Sequence, residues 1–147
     1  MSTTQPTTVT AQVEINAPIE KIWEVWTNPD HIKQWNNMSD EWHTPKVEND
    51  VRPGGRFLYV MAKKDGSFSF DFEGTYNDVK IHELITYTLD DGRKTTNIFK
   101  TDNPVKITET FEPNQSDPPE MQLQFCQAVL DSFKKYVEGF WTGVLRD

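Results

Sequence analysis

The sequence has a single cysteine, seven glycines and no long apolar run, and these shortages exclude several classes of protein. With Cys126 alone, the 147 residues hold no internal disulfide and no CxxC metal or redox motif. Cys126 stands among apolar neighbours on a helical pattern, which favours a buried, unreactive thiol. No apolar stretch approaches the ~20 residues of a transmembrane helix, so no membrane span is predicted.

Positive charge is also scarce. The chain has 15 Lys and Arg against 23 Asp and Glu, a formal net charge of −8. Because nucleic-acid affinity rests on Lys and Arg that neutralise phosphates, and these residues form no stripe here, we expect no nucleic-acid partner. The first residues have neither the basic nor the apolar region of a secretion signal, so a cytoplasmic location is expected.

Two of the seven glycines are adjacent, in Pro53-Gly54-Gly55. A phosphate-binding loop needs Gly-x4-Gly-Lys-Ser/Thr between a strand and a helix, whereas an alternating apolar segment that begins at Phe57 follows here. Pro53 sets one turn position, and Gly54 or Gly55 is suited to a positive φ. The sequence therefore predicts a turn that leads into a strand.

Hydrophobic periodicity divides the rest of the chain into segments. Residues 1–8 are predicted to be a disordered tail and residues 9–147 a single domain. A half-buried strand starts at Val9, and a helix follows with Asn16 as its N-cap candidate; Asn28-Pro29 is expected to separate this helix from a second short one.

The period changes to two between residues 41 and 112, and turn signals such as Asp91-Gly92 predict neighbouring antiparallel strands. After Pro118-Pro119, apolar residues recur at i, i+4 from Met121 to Val137, which predicts a long helix. The fold class is therefore α+β. A broad apolar helix face and a Phe-rich strand face favour a curved sheet that grips the long helix.

Few residues are placed for chemistry. His31, His43 and His82 lack the spacing of a metal-binding helix, so neither a metal nor a cofactor is predicted. Glu83 and Glu109 interrupt apolar strand registers, which makes them the candidate catalytic carboxylates. Each either projects into a cavity or lies at a strand end or bulge where the register flips.

Four short motifs occur in a diagnostic order: Ala17-Pro18 with Trp23, then Trp35, Pro53 to Phe57, and Phe72 to Gly74. From Val9 to Glu138 the chain resembles the START-like (SRPBCC) superfamily. Within it, the chain is most similar to the group named after the C-terminal domain of the activator of the ninety-kilodalton heat-shock protein ATPase. This resemblance implies the helix-grip fold, with an apolar cavity between sheet and helix.

The aromatic residues on the presumed inner faces indicate what lines such a cavity. Family members often carry Gly-Trp where this chain has Phe125-Cys126, which reshapes the cavity, so ligand preferences are not transferred. Trp35 and Trp42 flank a polar loop and are predicted at the rim. The full set of predicted cavity residues is Trp35, Trp42, Tyr59, Met61, Phe70, Phe72, Tyr87, Phe125, Val129 and Phe133.

Three functions are compatible with these features of the sequence. The first is a binding module that holds an apolar or amphipathic small molecule. The second is a chaperone-associated, stress-related interaction module, as the group's name implies. The third is a polyketide cyclase-like or hydrolase-like enzyme that uses Glu83 and Glu109. A homodimer is left open.

Overall fold

The computed structural model describes residues 8–142, which form one sheet, two short helices and one long helix. Of the predicted tail, every residue except Thr8 lies outside the described part, as do the last five residues of the predicted domain. In chain order the elements are β1 (Val9–Ile15), α1 (Ile19–Thr27), α2 (Pro29–Trp35), β2 (Trp42–Asn49), β3 (Arg56–Lys63), β4 (Ser69–Lys80), β5 (Leu84–Leu89), β6 (Lys94–Lys100), β7 (Val105–Phe111) and α3 (Pro119–Thr142).

The seven strands form one antiparallel sheet in the order β1-β7-β6-β5-β4-β3-β2. Strands β2 to β7 follow one another as a meander, and β1 closes the sheet beside β7. The long helix α3 packs across the inner face with Leu130, Phe133 and Val137 buried. This is the predicted helix-grip arrangement, a curved sheet around a C-terminal helix.

The junction of the two short helices is as predicted. The Asn28 side chain accepts a hydrogen bond from the Asp30 N–H at 2.9 Å, and Pro29 occupies the first helical position. The prediction of Asn16 as the cap of α1 is wrong, because Pro18 takes that position. The Asn16 N–H instead donates to the Glu138 carboxylate at 2.8 Å and thereby joins the β1–α1 loop to α3.

The Pro53-Gly54-Gly55 segment is a turn, as predicted. Gly54 has a φ of +83°. The Gly54 N–H donates to the Tyr76 carbonyl at 2.8 Å, and the Tyr76 N–H donates to the Gly55 carbonyl at 2.9 Å. The turn is therefore bonded to β4 and sets the position at which β3 enters the sheet.

An aromatic cluster connects the short helices to α3. The Phe133 ring lies 5.0 Å from Trp26 and 4.8 Å from Trp35, centroid to centroid. The Trp35 indole N–H donates to the Val25 carbonyl at 2.9 Å, so burial of this ring leaves no unpaired donor. This cluster fills one end of the space between helix and sheet.

Candidate functional site

A cavity of about 270 Å³ lies between the inner face of β3 to β7 and the first half of α3. Its wall is mainly aromatic and aliphatic. Eight of the ten residues predicted to line a cavity lie on this wall: Trp35, Tyr59, Met61, Phe70, Phe72, Tyr87, Phe125 and Val129. Alternation along β3, β4 and β5 places these strand residues on one face.

Five aromatic rings form the sheet side of the cavity, with Phe57 at their centre. The Phe57 centroid lies 4.9 Å from that of Tyr87 and 5.1 Å from that of Tyr76. Tyr59 and Phe72 are at 5.7 and 5.8 Å from the same ring. Such contacts lie in the range of stabilising edge-to-face and tilted pairs, so this wall is a packed, preformed surface.

Two predicted cavity residues are not on the wall. Trp42 packs against Phe68 and Phe70 near the β3–β4 hairpin, with centroid distances of 6.1 and 5.9 Å, and of these three rings Phe70 alone lies on the cavity wall. Phe133 is fully buried between the two tryptophans of the short helices and belongs to the core. Helical spacing predicts its inward direction but not that neighbouring rings cover it.

Glu83 is not a cavity residue either. It lies in the turn before β5 and is exposed. His82 has a φ of +69° there, and the Glu83 N–H donates to the Lys80 carbonyl at 2.9 Å, so the chain reverses within this segment. The apolar register of β5 therefore starts only after Glu83. An enzyme that uses both carboxylates, the third function considered from the sequence, needs both of them in the cavity, and of the two, Glu109 alone is there.

Glu109 does project into the cavity. Strand β7 pairs without a bulge, so Glu109 shares the inner face with Val105 and Ile107, which are buried. Its Oε1 accepts from Asn97 Nδ2 at 2.8 Å, and its Oε2 accepts from Cys126 Sγ at 3.2 Å. Burial raises the pKa of Glu109, and the hydrogen bonds from Cys126 and Asn97 oppose this rise.

The groups around Glu109 also resist ionisation. Burial raises the pKa of the Tyr59 and Tyr87 hydroxyls well above the usual value, and the negative charge of Glu109 adds to both shifts. Burial, with the same carboxylate nearby, also raises the pKa of the Cys126 thiol. The site thus favours neutral side chains.

Four polar residues and the exposed Phe125 lie at one end of the wall and form the cavity mouth, which we define by Arg93, Glu112, Asn114, Gln122 and Phe125. Phe125 is 45% exposed although it contributes to the wall. Arg93 Nε donates to Asp91 at 2.8 Å, and the Gln122 and Asn114 side chains and backbone bond to each other across the β7–α3 loop. This network fixes the loop that borders the opening.

Several wall residues were not predicted from the sequence, and Asn97 is the most informative of them. Asn97 is 1% exposed, whereas its neighbour Ile98 is 47% exposed. An apolar pattern centred on Ile98 points to the wrong face of β6. Phe99 is buried and stands two residues after Asn97 on β6. Because alternate residues of a strand lie on the same face, Phe99 is the signal in the sequence that Asn97 faces the cavity.

A second depression, of about 490 Å³, lies where β1 ends and α1 begins, beside the loop before β7. It is larger than the cavity but lies at the surface, with Asn16, Glu20 and Asp102 on its wall. None of the predicted cavity residues lines it. Within residues 8–142, no cluster of His, Cys, Asp and Glu is arranged to hold a metal ion.

The curved antiparallel sheet, the long helix across it and the cavity between them define a helix-grip protein of the START-like (SRPBCC) superfamily. The family model described as "Activator of Hsp90 ATPase homolog 1-like protein" matches residues 16–146. The chain belongs to this family.

Solved structures agree with this assignment. An AHSA1-like protein of Aeromonas hydrophila is 36% identical, with a TM-score of 0.85 over 96% of this chain and 97% of that one. A protein of Cytophaga hutchinsonii is 44% identical, with a TM-score of 0.77 over 94% and 95% of the two chains. A Chromobacterium violaceum protein, 23% identical with a TM-score of 0.79 over 89% and 96%, shares the fold.

A comparison with curated proteins finds no match. In the described part of the chain, none of the helices combines the length and the apolar composition needed to cross a membrane. Because one fold hosts many functions, the fold alone does not define what this protein binds or does.

Proposed function

We propose that this protein binds an apolar or amphipathic small molecule in the cavity between α3 and the sheet. The observation that carries the proposal is the composition of the wall, where clustered aromatic rings surround a few polar groups. Ligand pockets are typically concave, mostly apolar and fitted with a small number of orienting polar groups. The hydrogen-bonded pair of Glu109 and Asn97 is such a group.

The size of the cavity limits the ligand. Its volume of about 270 Å³ is slightly below the roughly 300–1,000 Å³ of pockets for drug-sized molecules. The ligand is therefore small. Its polar end remains near the mouth or contacts Glu109, and its apolar body lies on the Phe57 and Tyr87 rings.

Native mass spectrometry after gentle purification tests this function, combined with titration of a naphthalene-based fluorescent probe. A Val129→Trp variant fills the cavity from α3 and is expected to weaken probe binding at least about tenfold, because the added indole occupies the ligand's volume. Gln124→Trp is the matched control, since Gln124 is exposed on the same helix and does not line the cavity.

The proposal fails if the wild-type protein binds no probe and carries no bound mass. It also fails if a folded Val129→Trp variant binds the probe as tightly as the Gln124→Trp variant does. Circular dichroism and thermal unfolding of both variants establish that each is folded.

The chaperone-associated role stays a prediction. The matching family model is named after an Hsp90 ATPase activator. Phe68 is 56% exposed beside Trp42, and an exposed apolar surface is what such a role would need.

A further inference from the structure

Glu109 is a buried ionisable group in an aromatic cavity. Its two oxygens accept from the Asn97 amide at 2.8 Å and the Cys126 thiol at 3.2 Å. Both donors are uncharged, and the Cys126 thiol is also a weak donor. Within residues 8–142, no ion pair with a lysine, arginine or histidine nitrogen includes Glu109. A buried carboxylate in this position needs a cation or a proton.

The titratable neighbours of Glu109 come from three directions, and in the described part of the chain none of them is cationic. Helix α3 contributes Cys126, β5 contributes Tyr87 and β3 contributes Tyr59. The paired strand β6 contributes Asn97, which does not titrate. On its other side β1 places the apolar Ala11 opposite Glu109. None of these packed elements therefore supplies a positive charge to the carboxylate.

We propose that the ligand of this cavity is an organic cation, an aromatic or apolar amine in its protonated form, and that Glu109 binds its ammonium group. This inference rests on the proposed function, because it assigns the ligand class of the same cavity. The aromatic rings support it independently of the carboxylate. Tyrosine and phenylalanine faces attract cations, and the five-ring wall offers such faces beside Glu109.

The charge of the whole chain also favours a cationic ligand. With a formal net charge of −8, the molecule attracts cations and repels anions before contact. The cationic side chain at the mouth, Arg93, is already paired with Asp91 at 2.8 Å, and Glu112 lies beside it on the wall. An anionic ligand would meet the negative field of the chain and the Glu112 carboxylate before it entered the cavity.

Proton linkage gives this binding a pH signature. Burial raises the pKa of Glu109, so this carboxyl keeps its proton to a higher pH than an exposed glutamate does. An incoming ammonium group stabilises the carboxylate, and binding releases a proton. Affinity for the amine therefore rises as pH increases through the pKa of Glu109. A neutral ligand that accepts a hydrogen bond from protonated Glu109 shows the opposite dependence.

Three probes of one size separate these cases by isothermal titration calorimetry: naphthylmethylamine, naphthylmethanol and naphthoate. Measured between about pH 5 and about pH 8, the wild-type protein is expected to bind the amine at least about tenfold more tightly than the alcohol near the upper end, a preference of about 1.4 kcal/mol. The naphthoate is expected to bind weakest.

Glu109→Gln keeps the side-chain size and an oxygen acceptor for Asn97 but removes the charge. It is expected to abolish the preference for the amine over the alcohol and the pH dependence of amine binding. Glu48→Gln is the control, because it removes one negative charge at an exposed position of β2 outside the cavity.

The inference is overturned, with cavity binding intact, if the alcohol or the naphthoate binds as tightly as the amine. It is also overturned if Glu109→Gln retains the preference. If Glu109→Gln does not fold, the order of the three probe affinities for the wild-type protein and the pH dependence of amine binding decide whether the inference stands. Failure of all three probes to bind the wild-type protein overturns this inference, and the proposed function falls with it if native mass spectrometry also finds no bound mass.

Discussion

At the scale of single residues, the two glycines before β3 make different demands on the backbone. Gly54 has a φ of +83°, and a Cβ added to it would meet no atom of the described residues within 4 Å, whereas a Cβ on Gly55 would lie 2.0 Å from the Asp50 carbonyl oxygen. That oxygen accepts from the Arg52 N–H at 3.0 Å, and the Asp50 N–H donates to the Arg56 carbonyl, so the carbonyl of Asp50 is held in place. The first glycine is needed for its dihedral angle and the second for close approach.

Gly55→Ala is expected to lower the free energy of unfolding by about 1–3 kcal/mol or more, because the new methyl group forces the turn apart. Gly54→Asn is the control. Asparagine tolerates a positive φ, so its cost is expected to stay below about 1 kcal/mol. Urea denaturation, monitored by tryptophan fluorescence, measures the free energy of unfolding of both variants. Equal losses of this free energy in Gly55→Ala and Gly54→Asn would contradict the different roles of the two glycines.

At the scale of elements, α3 is held to the sheet and the short helices at several points along its length. Phe133 packs on Trp26 and Trp35, and the Ser132 hydroxyl donates to the Trp35 carbonyl at 2.8 Å. Near the same end, Lys134 Nζ bonds to the Glu14 carbonyl and, at 2.9 Å, to the Glu138 carboxylate. These contacts fix the second half of the helix, whereas the first half borders the cavity.

Phe133→Ala is expected to lower the free energy of unfolding by about 3–5 kcal/mol, because it removes a fully buried ring and leaves a void between two indoles. Lys135→Ala, on the exposed face of the same helix, is expected to change it by less than about 0.5 kcal/mol. Chemical denaturation of both variants checks the difference. A small loss in Phe133→Ala would contradict this packing role, because it would mean that Trp26 and Trp35 close over the void.

The regularity of each strand explains which side-chain directions were predicted correctly from the sequence. Strand β7 pairs regularly with β1 and β6, so the alternation that placed Glu109 on the inner face is correct. Before β5 the chain turns at His82, so the same alternation fails for Glu83. Periodicity predicts a side-chain direction only inside a regular strand, and no local signal in that segment marked the boundary.

At the scale of the whole molecule, burial of Glu109 connects stability to pH. Its raised pKa means that the native state holds this proton over a pH range in which the unfolded chain has released it. The contribution of the protonated Glu109 to the free energy of unfolding is fully present below the ordinary carboxyl pKa. It is lost as pH rises through the raised pKa of Glu109. Asp90, whose pKa the Arg56 hydrogen bond lowers, has the opposite sign and loses its contribution as pH falls.

Glu109→Gln is therefore expected to gain stability relative to the wild-type protein as pH rises from the ordinary carboxyl range through the raised pKa. Gln cannot ionise, so it does not bear the desolvation cost that the carboxylate bears there. Urea denaturation over a pH series measures the difference in unfolding free energy. Glu48→Gln, at an exposed carboxyl, should follow the wild-type curve, and a constant offset for Glu109→Gln at every pH would refute this linkage.

The sequence by itself determined the order of elements, the curved sheet around a long helix and the inward direction of the aromatic residues on β3, β4 and β5. These depend on period, turn chemistry and strand parity, which are local properties. The tertiary structure alone decided that Glu109 and not Glu83 reaches the cavity, that Asn97 and Cys126 are its partners, and that Trp42 and Phe133 lie off the wall. Those outcomes depend on where strands begin and on which rings cover one another across long sequence separations, and no local pattern encodes such contacts.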